Sequence, residues 1–89
     1  MNIDKIINDQ AVKLTIDSTR GIQRTICSSL GPLRAGADAT RIACHQLFDL
    51  AANDREAFVT QTWGTQYLNR VQPMLDQLKR VEESLAKLS

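Results

Sequence analysis

The chain has little that would interrupt a helix. Its 89 residues include only two prolines and four glycines, which suits long helices and argues against a turn-rich architecture. Cysteine occurs twice, at Cys27 and Cys44, a spacing that matches no zinc pattern. The opening MNIDKIIND is interrupted early by acidic residues, and no apolar run reaches the length of a signal peptide or a membrane span. A cytoplasmic location with both thiols reduced is therefore expected. Neither charge sign dominates: the formal net charge is +1, so no global electrostatic drive toward nucleic acid or membrane exists. No glycine-rich phosphate loop, paired-carboxylate motif, Ser/His/Asp arrangement, internal repeat or low-complexity segment appears. No catalytic residue, metal site or cofactor is expected.

What is present is an ordinary globular composition, 43% hydrophobic and 24% charged, enough for one domain over 1–89 with a modest core. Partner contacts often complete the stability of so short a chain. Three segments show helical spacing. In the first, about 2–29, Ile3, Ile7, Ala11, Leu14, Ser18 and Ile22 recur in steps of three and four. Its middle is weak for a helix, because Thr15, Ser18, Thr19 and Thr25 can bond back to the backbone and Gly21 costs about 1 kcal/mol against Ala. The alternation Val12, Leu14, Ile16 leaves a β-hairpin at 12–27 as the competing expectation.

Gly31-Pro32 ends the first segment and starts a second helix at about 33–52. Asn53 and Glu56 have the spacing of a capping box and open a third helix at about 54–88. Pro73 lies inside that helix. It removes the amide that would bond to Asn69, so a kink is expected there, or else a stop and restart. The resulting fold is all-α, a small bundle of three helices. A continuous last helix of this length would overhang a compact domain, making 72–89 a coiled-coil-like projection.

The last helix carries the clearest pattern. Val59, Trp63, Tyr67, Val71, Met74, Leu78, Val81, Leu85 and Leu88 follow one another in steps of three and four. Such a stripe packs along another helix. Trp63 and Tyr67, one turn apart, could stack on a base, but such a pair more often anchors a core or a protein interface. Trp63, Tyr67, Val71, Met74, Leu78, Val81, Leu85 and Leu88 are thus the candidate interface. Asp76–Arg80 and Glu83–Lys87 have the favourable order for intrahelical pairs.

Charge is distributed unevenly. Residues 13–41 hold five basic side chains against two acidic ones, a net +3, while residues 42–69 carry −2. Arg20, Arg24, Arg34 and Arg41 are the candidate contacts for an anionic partner, either an acidic protein surface or phosphates. Cys44 and His45 are helix neighbours, about 100° apart, so they cannot pair side by side. His45 with Asp49 one turn on reads as a surface ion pair, and a Cys27/His45 nucleophilic pair would require folding to bring them together.

The expected function is therefore association rather than catalysis: a small protein–protein interaction or regulatory accessory protein. It would be a homodimer, or part of a larger complex, working through its amphipathic last helix. The alternative is a nucleic-acid-binding accessory protein using the basic 13–41 segment.

Overall fold

A computed structural model describes residues 3–88. The regular elements are α1 (Ile3–Leu30), α2 (Ala37–Asp49), a 3-10 turn (Ala52–Asp54), α3 (Arg55–Thr62) and α4 (Thr65–Leu88). The all-α expectation holds, since no strand occurs among the described residues. The hairpin at 12–27 is excluded because those residues lie within α1. Asn2, the expected start of the first helix, and Ser89, the end of the expected projection, lie outside the described residues.

α1 absorbs its polar middle without breaking. The hydroxyls of Thr15, Thr19, Thr25 and Ser29 each donate to the carbonyl four residues back, at 2.7 to 3.0 Å. They share helical carbonyls instead of competing with the helix. Gly31 then takes a left-handed φ of +74° and ends it.

The second helix starts four residues later than expected. Pro32 does not open it; residues 33–36 form a turn closed by Gly36 N–H donating to the Leu33 carbonyl at 3.1 Å. Thr40 locks that turn, accepting from Leu33 N–H and donating to the Gly36 carbonyl, both at 2.8 Å. The expected capping box also does not form. Asn53 sits in the 3-10 turn with its side-chain oxygen accepting from Lys79 Nζ at 3.4 Å, and Glu56 accepts from Gln72 at 2.7 Å.

The expected single helix over 54–88 is two helices, and the break is not at Pro73. α3 ends where Trp63 N–H and Gly64 N–H both donate to the Val59 carbonyl, at 2.8 and 3.1 Å. Gly64 has φ +113°, and its carbonyl in turn accepts from Tyr67 and Leu68 N–H, at 3.1 and 3.2 Å. One glycine thus closes α3 and opens α4. Pro73 lies inside α4, on its exposed side. The expected kink is not matched, since α4 runs as one helix through Pro73; the missing amide falls on the exposed side, while the opposite side buries Val71, Leu75 and Leu78.

α1 and α4 lie antiparallel, as Gly31 against Tyr67 at one end and Asn8 donating to the Leu88 carbonyl at the other require. The described part of the expected projection, 72–88, therefore runs alongside α1, and the molecule measures 54 × 22 × 17 Å. The core sits toward one end. Ile26 and Leu30 of α1, Leu47 of α2, Val59 of α3 and Val71, Leu75 and Leu78 of α4 are buried together. α2 and α3 cover that end. Residues 3–10 of α1 are all exposed.

One charged residue is in the interior. Arg55, 4% exposed, grips Glu82 with Nη1 and Nη2 at 2.6 and 2.8 Å, pinning the start of α3 to the last turns of α4.

Candidate interaction surfaces

The eight candidate interface residues divide into three groups. Val71 and Leu78 are fully buried within the chain's own core. Trp63 and Tyr67, half-buried, close the α1 turn. The indole Nε1 of Trp63 donates to the Gly31 carbonyl at 3.0 Å, and its ring meets Phe58 edge-on at 6.2 Å. Tyr67 lies against Gly31, where a Cβ would come 3.5 Å from its ring, and carries the Arg70 guanidinium 5.3 Å from its centroid. Met74, Val81, Leu85 and Leu88 are half-buried along the edge of α4. Leu75, not in the expected stripe, is buried at 5% exposure.

The more open apolar surface is on α1, where the sequence showed only a helical spacing of apolar residues. Ile3, Ile7 and Leu14 are 66, 59 and 67% exposed. Steps of four and seven keep these three within about 40° around the helix. Ile7, Leu14 and Gly21 repeat every seven residues, as do Met74, Val81 and Leu88 on α4. The two ladders flank a groove lined by Ser18, Gly21, Ile22, Thr25, Met74, Gln77 and Val81, with no residue from α2 or α3. That side of the α1/α4 pair is open. The spacing of Ile3, Ile7 and Leu14 was visible in the sequence; that nothing among the described residues covers them was not.

The basic residues are partly brought together. Arg20, Arg24 and Arg41 line one cleft of about 690 Å³ between α1 and α2, and Arg34 does not. Arg34 is in the turn before α2. Cys27, Cys44, His45 and Phe48 line the same cleft. Cys27 and His45 share the cleft, but the partner that acts on the thiol is Cys44, and the thiol is not activated. Burial, then a hydrogen bond and charge repulsion from Cys44, push the Cys27 pKa up from 9.0 to about 12. A thiol held protonated is a poor nucleophile.

His45 and Asp49 form no ion pair, and neither do Asp76 with Arg80 or Glu83 with Lys87; Arg41 pairs with Asp38 and Arg55 with Glu82. Asp76 instead accepts from Gln72 at 3.1 Å. No three His, Cys, Asp or Glu side chains among the described residues gather to hold a metal ion. No helix among them is long and apolar enough to cross a membrane.

Comparison with protein-family models, with curated proteins and with solved structures finds no match. Function must therefore be argued from these two surfaces.

Proposed function

We propose that the chain is a small non-enzymatic interaction protein, of the accessory or regulatory kind, that pairs with a second copy of itself through the open side of α1 and α4. The observation that carries this is the pair of seven-residue ladders, Ile7–Leu14–Gly21 and Met74–Val81–Leu88, side by side and uncovered by α2 or α3. Two antiparallel helices placed on two more make a four-helix bundle, the arrangement a sustained seven-residue spacing serves.

Three features support a second copy. The positions four residues after Ile7 and Leu14, Ala11 and Ser18, and three after Met74 and Val81, Gln77 and Ser84, carry no charge, and interface centres are depleted of charge. α1 and α4 are the two longest helices, 28 and 24 residues, in a molecule 54 Å long, long enough for an extended helix–helix contact. Gly21 weakens α1 without an internal reason, because a Cβ there would meet nothing within 4 Å. A closely approaching partner helix supplies one. Each leucine or isoleucine taken fully from water on association contributes about 1.5–3 kcal/mol.

Sedimentation equilibrium of the wild type beside Ile7→Asp with Leu14→Asp tests this. Both residues are exposed and outside the core, so circular dichroism should show an unchanged helix content. Two unpaired charges in a dry contact cost several kcal/mol, enough to separate a micromolar dimer held by about 8 kcal/mol. A dimeric wild type and a helical monomeric variant are expected. A wild type that stays monomeric at high micromolar concentration, or a variant that still dimerises, would end this proposal.

A further inference from the structure

The cleft between α1 and α2 lies apart from the proposed dimer face and has a different chemistry. Each wall carries two basic side chains one helical turn apart: Arg20 and Arg24 on α1, Arg41 and His45 on α2. No Asp or Glu lines the cleft. Arg20, Arg24 and His45 make no ion pair or side-chain hydrogen bond among the described residues. Arg41 approaches Asp38 at 3.9 Å, with both side chains well exposed, a contact of little strength in water. Between the walls the floor is apolar, with Cys27, Cys44 and Phe48. α2 packs chiefly on α3, not on α1, which leaves the cleft unfilled.

We infer that this cleft receives an acidic amphipathic helix of a partner protein. The repeat of basic groups at i and i+4 on both walls matches carboxylates at the same spacing on the two flanks of one helix. Its apolar stripe would then rest on Phe48 and the two cysteines. A compact anion with one charged group would leave most of these basic groups unpaired. A phosphate backbone would lie over the apolar floor and desolvate without gain. Helix-in-groove docking uses both features together: the stripe supplies affinity, and the charges set register and approach rate.

The test uses the full-length protein and a labelled synthetic helical peptide with leucines along one face and glutamates on both flanks. Fluorescence anisotropy should show saturable binding. Exchanging the glutamates for glutamines, or the leucines for serines, should each weaken it at least tenfold. Arg20→Glu with Arg24→Glu should weaken the acidic peptide at least tenfold and gain binding to the peptide bearing lysines in place of glutamates. These positions are exposed, and circular dichroism confirms that the variant is folded. The Ile7→Asp, Leu14→Asp protein should bind like the wild type, which separates this inference from the dimer proposal. No saturable binding, indifference to the arginine exchange, or equal binding of the serine-faced peptide overturns it. So does a DNA duplex that binds more tightly than the peptide at physiological salt and loses that binding in the arginine variant.

Discussion

Arg55 and Glu82, 27 residues apart in sequence, meet through two parallel hydrogen bonds of 2.6 and 2.8 Å. Arg55 is almost wholly buried, its Nε has no hydrogen-bond partner among the described residues, and Glu82 is about a third exposed. The pair is therefore asymmetric. The guanidinium depends on the carboxylate more than the carboxylate depends on it.

Glu82→Ala should accordingly be among the most damaging single changes away from the apolar core. It leaves a buried cation unpaired, for which about 3–5 kcal/mol is typical; the partial exposure of Glu82 puts the expected loss near the lower figure. Arg55→Met combined with Glu82→Leu removes both charges and should recover most of it. Urea unfolding followed by circular dichroism measures both. A loss under about 1 kcal/mol in the single variant would mean that water already screens the pair.

The sequence carried the helical class, the end of α1 at Gly31 and the stripe of α4, because each rests on local spacing or on one residue's backbone preference. It did not carry which side of each helix is covered. Ile3, Ile7 and Leu14 lie roughly 100° around α1 from Ile22 and Ile26, and only the latter reach the core. Which of the two faces is covered depends on where the other helices lie, a long-range matter. The break at Gly64 was masked by the unbroken phase of Val59, Trp63 and Tyr67 across it. Of the four arginines, three share a cleft because α2 starts at Ala37, and the turn that delays it carries Arg34 elsewhere.

Pro73 gives a prediction of opposite sign. It sits in the interior of α4 with its exposed ring in place of an amide donor for Asn69. Pro73→Ala restores the donor and a strong helix former, against a helix-interior penalty of about 3 kcal/mol for proline. The greater freedom of the unfolded alanine chain offsets roughly 1 kcal/mol of this. A net gain of about 1–2 kcal/mol is expected, read as a higher urea midpoint with an unchanged slope. A loss of stability would mean that α4 requires the local geometry proline imposes.

The Cys27 thiol sets the last expectation. Its pKa rises from 9.0 to about 12, first through burial and then through Cys44. A group whose folded pKa is raised contributes stability that is fully present below its unfolded value. The contribution disappears as pH climbs to the folded value, because the unfolded chain releases the proton first. Stability from this site should thus be flat below pH 9.0 and fall between pH 9.0 and about 12. Cys27→Ala should flatten that part of the stability profile. The same shift leaves far less thiolate at neutral pH than an ordinary thiol holds. Iodoacetamide at pH 8 should therefore modify Cys27 far more slowly in the native protein than in urea, as peptide mapping by mass spectrometry can follow. Rapid native alkylation of Cys27 would show that the fold does not hold this half-buried thiol protonated.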